Sequence, residues 1–370
     1  MPFIADRRLD VRRLAAVLSN VALVALLLVP LQKFVWAAQD DILAYDFKQA
    51  FLPAAEAILD GRSPYPELGY PPLVAFLSVP FVLAPATEIL VTVAVAACVP
   101  ASLWLLGVRD WRCYVAAFLW ISVFNAVQTV NVTLPLLLAA SVCWRWRDRA
   151  AVAGVAGGFA VAVKLIAWPL AFWLLASRRL RAAVGVVVVA FGVTFGLWAT
   201  LGFSGLVGYP ESLDRLQGEQ TGRGYTFQAL MADAGLADEL GVLAALACLL
   251  LVLAGVVAYA RRGDEARSFA CASAALVVAS PIIWLHSFAL LLAPVALLRP
   301  RLSAVWFFPA ALWLVSPGTG NGAPWQTGVT LAVAVLVVAL VVLRERRPAL
   351  PAAGSLRPRP ASGAVGLEQS

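Results

Sequence analysis

Asp46, Gln128, Asn131, Lys164 and His286 are side chains that are costly to place in a bilayer, and all five fall at segment ends that the charge pattern assigns to one face. Together they offer a carboxylate to accept a proton, a cation to meet an anion, and amides and an imidazole to orient a polar ligand. Each also has a structural reading. Asp46 stands before Phe47–Leu59, whose apolar spacing predicts a short amphipathic helix, so it can cap that helix or serve as a base held at its start. Asn125, Gln128 and Asn131 recur every three residues, which predicts three amides on one side of a helical turn, either binding helices together or facing a ligand. Lys164 lies in the apolar run AVAVKLIAWP, where a cation pairs with an anion, lines a polar cavity or snorkels to the surface; Pro169 loosens the helix beside it. His286, the one histidine, follows a helix break at Pro281, with Trp284 as a wall or interface anchor.

The elements that must position these groups are membrane helices. Hydrophobic residues make up 62% of 370 positions and charged ones 13%, which predicts an all-α polytopic membrane protein. Spans of about 20 apolar residues fit Leu14–Trp36, Leu90–Val108, Ala182–Leu201, Leu240–Ala260 and Thr327–Leu343. Shorter runs, Val132–Trp144, Leu165–Ala176 and Phe288–Leu298, are expected to pair as hairpins around polar turns. The stretch Pro72–Pro85, punctuated by prolines, reads as an interfacial or re-entrant helix.

All but six of the 28 Lys and Arg fall in clusters beginning at Arg7, Arg109, Arg145, Arg178, Arg261, Arg299 and Arg344, which the positive-inside rule places in the cytoplasm. The exceptions are Lys33, Lys48, Arg62, Lys164, Arg215 and Arg223. Both termini are then cytoplasmic, the first span is a retained anchor, and the crossings number about 12, within about 10 to 13. The net charge of +7 is thus an orientation signal and gives no argument for nucleic acid. The expected organisation is a single membrane-embedded domain over 1–343, outer loops at about 37–72 and 202–239, and a disordered tail over 344–370. In the first loop, Tyr65 and Tyr70 offer rings suited to stacking on a sugar or to an ordered interfacial turn. Five scattered cysteines, one histidine and no HExxH or Gly-rich phosphate loop predict neither a metal site nor a nucleotide cofactor.

The ordered blocks YDFKQAFLPAAEAILDGRSPYP, YPPLVAFLSVP, VQTVN, VKLIAWPLAFWLLASRR and SPIIWLHS resemble glycosyltransferase family 87, the polyprenol-phosphate-mannose-dependent membrane mannosyltransferases of the GT-C fold. The resemblance implies a GT-C-type bundle and an inverting transfer, with no cofactor. In that reading a sugar, foremost mannose, moves from a polyprenyl-phosphate donor to a glycolipid or polysaccharide hydroxyl on the extracytoplasmic face of the cell membrane. It implies Asp46 as general base, His286 in the same cavity and Lys164 at the donor phosphate; Arg62 can assist with charge, and Tyr65, Tyr70, Gln128, Asn131 and Trp284 remain for substrate contacts. Members that carry a second His after the first differ from this chain, which has Ser287. Two other readings stand beside it: a transporter or flippase for a lipid-linked or polar solute, since charged groups at broken helices also mark solute paths, and a structural envelope subunit.

Overall fold

The computed structural model describes residues 3–220, 224–316 and 323–343, without the side chains of residues 3–12, 219 and 220. The tail from Arg344 and the side chains of Arg7, Arg8 and Arg12 lie outside the described residues. Among those described there is no strand, and seventeen α-helices follow one another. They are α1 (Phe3–Ala25), α2 (Leu28–Gln39), α3 (Leu52–Leu59), α4 (Leu73–Ser78), α5 (Thr87–Leu105), α6 (Trp111–Phe118), α7 (Ile121–Thr129), α8 (Thr133–Arg145) and α9 (Ala150–Val163). Then come α10 (Pro169–Ala176), α11 (Leu180–Thr200), α12 (Tyr209–Gln220), α13 (Phe227–Asp233), α14 (Asp238–Arg261), α15 (Glu265–Val278), α16 (Leu292–Leu298) and α17 (Pro324–Val342).

Five stretches are long and apolar enough to cross a membrane: Arg13–Gln39, Thr87–Leu105, Leu180–Thr200, Asp238–Arg261 and Pro324–Val342. They coincide with the five spans read from hydropathy. Their outward faces are rich in exposed Leu, Val and Phe, as on Leu243, Leu250 and Leu251 of α14, which suits lipid as solvent. The chain is therefore a helical membrane protein. A sixth span is possible by length if α7 and α8 are counted together, but those two helices meet at a bend of 111°. The shorter apolar helices lie inside the bundle: α8, α15, the turn before α16 and α16 itself are buried along most of their length.

The tightest helix pair is α9 with α11, and small residues make it so. A methyl added at Gly154 would stand 3.1 Å from the Cα of Gly185, and one at Gly158 would stand 2.6 Å from Val189 Cβ and 2.8 Å from the Val186 carbonyl oxygen. Backbones that close exclude any side chain larger than hydrogen on the facing stripe.

One end of the bundle is fastened by the basic clusters. Glu265, opening α15, receives Arg147 at 2.7 Å and Arg179 at 2.6 Å, and Arg179 also reaches Asp148 at 2.7 Å. Asp110 caps α6 through the Arg112 N–H, pairs with Arg112 at 2.8 Å and accepts the Leu302 N–H at 3.1 Å. Arg267 donates to the Val342 carbonyl and Arg299 to that of Leu340. Among the described residues, the clusters beginning at Arg109, Arg145, Arg178, Arg261 and Arg299 thus share an end. The two loops at about 37–72 and 202–239 meet elsewhere, where Arg215 donates to the Pro66 carbonyl at 3.2 Å.

Candidate active site

Three breaks in helical structure build the site. The first follows α2. Ala44 takes a left-handed conformation at φ 57°, its N–H donates to the Gln128 carbonyl at 2.7 Å, and the chain then enters a π-helical turn over Phe47–Phe51 that runs into α3. Helix therefore covers Phe47–Leu59 as the apolar spacing predicts. Asp46 stands where a cap would, yet its carboxylate makes no cap bond to that turn. It points instead to Asn131, whose Nδ2 donates to Oδ2 at 2.6 Å.

The second break is between α7 and α8. Val130 is left-handed at φ 58°, an unfavourable place for a β-branched residue and worth about 1–3 kcal/mol of strain. This break corrects the expected amide row. Asn125 and Gln128 stay on α7, while Asn131 lies beyond its end, in the turn before α8. Gln128 contributes its main-chain carbonyl to Ala44. Asn131 is 1% exposed, and its Oδ1 accepts both the Thr133 N–H at 3.0 Å and the Thr133 hydroxyl at 2.7 Å. The Thr129 hydroxyl sits within reach of both the Asp46 carboxylate and the Asn125 carbonyl, and its single proton serves one at a time.

The third break is at Lys164. The residue ends α9 in an extended conformation, a 3-10 turn over Leu165–Ala167 follows, and Pro169 opens α10. Lys164 Nζ lies 5.6 Å from the centroid of the Tyr70 ring, a cation–π distance, and acts electrostatically on both Asp46 and His286. His286 is carried on the 3-10 turn Leu285–Leu291 and is 4% exposed; its Nε2 is buried without a hydrogen-bond partner. A buried polar atom with no partner marks a place where a ligand can bond. Asp46, Tyr70, Asn131, Lys164 and His286 thus gather in one polar cluster from five distant stretches of chain. Asp46, outside the long spans, has its pKa raised by burial, against the opposing pull of the Asn131 bond and Lys164.

The other expected residues fall differently. Tyr65 is 8% exposed, its ring packed by Trp198 at 5.9 Å and Tyr209 at 6.0 Å, and its hydroxyl donates to the Tyr70 carbonyl at 3.0 Å. It props Tyr70 rather than presenting a face to a sugar. Arg62 is not in the cluster: Gly61 turns the chain out at φ 70°, and the exposed guanidinium pairs with Asp60 at 2.8 Å. Trp284 stands half-buried at the start of the turn that bears His286. Among the described residues no group of three or more His, Cys, Asp or Glu could hold a metal ion. Sequence reasoning missed Thr129 and Thr133; the signal for Thr133 was Asn-Val-Thr, a spacing at which an asparagine oxygen bonds the backbone two residues on.

Beside the cluster, a groove of about 770 Å³ runs between α14, α15 and α17, lined almost wholly by apolar side chains such as Leu246, Val252 and Val338. Ile283 and Phe288, which flank His286 in sequence, are part of its wall.

No curated protein matches the chain, and no solved structure does. The sequence profile described as glycosyltransferase family 87 matches residues 68–283, more than half of the chain. The matched segment contains Tyr70, Gln128, Asn131 and Lys164, while Asp46 precedes it and His286 follows it. A membrane bundle with a polar cluster at its helix breaks and this match along most of its middle together identify the chain as a member of glycosyltransferase family 87.

Proposed function

We propose that this glycosyltransferase moves a sugar, mannose foremost, from a polyprenyl phosphate to a hydroxyl of a glycolipid or glycan, with inversion at the anomeric carbon. The observation that carries the reading is the Asp46 carboxylate. It stands at a helix start yet leaves the helix uncapped, and the Asn131 amide holds it in a cluster that contains Lys164. In the reaction Asp46 takes the proton of the acceptor hydroxyl as the oxygen bonds to the anomeric carbon. The bond from that carbon to the phosphate oxygen breaks at the same centre, and the polyprenyl phosphate leaves as an anion. A phosphate monoester is a good leaving group, so no strong acid is required. Lys164 offsets the charge that develops on it, and His286, facing Lys164 with Nε2 unspent, offers a bond to the same phosphate.

The apolar groove supports a lipid-linked donor, because its wall includes residues on either side of His286 and it can shelter an isoprenoid tail while the phosphate meets Lys164. The fold under this reading is a GT-C-type bundle with about 12 crossings, both termini cytoplasmic and the cluster on the outer face. Family membership favours transfer over the transport and structural readings. Transfer of labelled mannose from polyprenyl-phosphate-mannose by membranes containing the protein tests it. Asp46→Asn is expected to lower the rate by about 10²–10⁴-fold while the protein inserts normally, and an unchanged rate would reject the base.

A further inference from the structure

The contacts that hold Asp46 run one residue further than the site just described. An amide can present either its N–H₂ or its oxygen to a neighbour, and only the first stabilises a carboxylate. At Asn131 the choice is made by Thr133. Its N–H and its hydroxyl both donate to Asn131 Oδ1, at 3.0 and 2.7 Å, so the oxygen is occupied and Nδ2 is left to donate to Asp46 at 2.6 Å. The second Nδ2 proton faces the Tyr70 hydroxyl at 3.5 Å, the outer edge of a hydrogen bond. Both Asn131 and Thr133 are buried, at 1% and 2% exposure. The Asn131 side chain is thereby committed to protein partners on both ends.

We propose that Thr133 is a positioning residue that fixes the Asn131 amide as a donor, and that through it Thr133 sets the pH at which the Asp46 carboxylate is ionised. Asn131 on this view acts on the acceptor only through Asp46, not as a substrate contact. The inference rests on the reading of Asp46 as the base for its importance to catalysis, but the linkage of Thr133 to Asp46 can be measured without it.

The other groups that face Asp46 stay fixed in this comparison. Lys164, from the break after α9, lowers the Asp46 pKa; the buried Tyr70 phenol lies beside it, with Tyr209 beyond, and the Thr129 hydroxyl reaches it from α7. His286 faces Lys164. On the Asp46 segment itself, Lys48 is engaged by Asp41 at 2.6 Å and Glu88 at 3.9 Å. Burial raises the pKa and the Asn131 bond opposes it, so loss of the bond moves the titration to higher pH. A hydrogen bond to a charged group corresponds to a shift of about 1–2 pH units.

The test uses the full chain in phospholipid vesicles and needs no substrate. The infrared stretch of the protonated Asp46 carboxyl, identified as the band absent from Asp46→Asn, is followed against pH in the parent protein, Thr133→Val, Thr133→Ser and Asn131→Ala. Thr133→Val keeps shape and removes the hydroxyl; Thr133→Ser keeps the hydroxyl. The expected result is an upward midpoint shift of about 1–2 units in Asn131→Ala and a smaller upward shift in Thr133→Val, which keeps the Thr133 N–H bond to Oδ1, with Thr133→Ser titrating like the parent. If Thr133→Val does not accumulate, Thr133→Ala, which also removes the hydroxyl, is measured in its place against Thr133→Ser. A parent-like midpoint in Asn131→Ala, or a parent-like midpoint in Thr133→Val, overturns the proposal. Rate measurements on the same proteins separate the two claims: a shifted midpoint with full activity in Asp46→Asn rejects the base and leaves the linkage, whereas loss of transfer in Asp46→Asn with an unshifted Thr133→Val rejects the linkage and leaves the base.

Discussion

Lys164 has no carboxylate within ion-pair reach among the described residues; burial works against its charge, and the field of Asp46 and the Tyr70 face at 5.6 Å oppose that. A cation so lightly held is free to bind an anion, which is the role that the proposed phosphate leaving group requires. Lys164→Ala is expected to lower the transfer rate by about 10²–10³-fold, the cost of losing one preorganised charge at a developing anion. The same change removes a charge that favours ionised Asp46. The acid limb of the pH–rate profile therefore moves upward, with activity lost as pH falls through the raised value, whereas Lys164→Arg keeps the limb in place. A profile in Lys164→Ala that superimposes on the parent would mean the two groups do not interact. At this scale much was legible, because an aspartate, a lysine and a histidine in apolar surroundings announce themselves by their cost. The direction each faces was not. Arg62 carries the right charge but turns outward after Gly61, and Tyr65 has the right ring but packs it on Trp198 and Tyr209 and spends its hydroxyl on the Tyr70 carbonyl.

The elements that place these residues are short and interrupted, and interruption was the part hardest to read. Pro169 signalled the break at Lys164, and Pro281 the end of α15 before the turn that bears His286. The break at Val130 had no signal, since valine is a poor candidate for a left-handed turn, and so the amide spacing predicted a continuous helix that the 111° bend replaces. The five long spans were legible to within a few residues because hydropathy alone determines them. Packing of α9 against α11 gives an independent test of the scaffold. Gly158→Ala brings a methyl to 2.6 Å from Val189 Cβ and 2.8 Å from the Val186 carbonyl, so the helices must part. The expected loss is about 1–3 kcal/mol, read as a lower melting temperature in detergent micelles. Gly192→Ala on α11, where an added methyl meets nothing within 4 Å, is the matched control and should melt with the parent.

At the scale of the molecule, charge and chemistry occupy separate regions. Arg147, Arg179 and Glu265 bind three interhelical turns into one ion-paired end, and the loop that holds Asp46 and Tyr70 is fastened through Tyr65 to Trp198 of α11 and Tyr209 of α12. The orientation read from the basic clusters then has a direct check in a background lacking the five native cysteines. Glu67→Cys, exposed in the first outer loop, should react with an impermeant thiol reagent on intact cells, and Arg145→Cys, exposed at the ion-paired end, only after lysis. Labelling in the reverse order would put the cluster around Asp46 in the cytosol. The grouping of basic residues was legible in composition, whereas the aromatic fastening was not, because it joins rings far apart in sequence that only the folded chain brings together. That fastening has a consequence for how the enzyme is made. Asp46 leaves the ribosome before Trp198 and Tyr209, and His286 follows them, so the helices between these residues must be threaded into the bilayer before the cluster exists. A nascent chain arrested before Trp198 lacks this fastening, and the cluster closes only once the segment that bears His286 has been inserted.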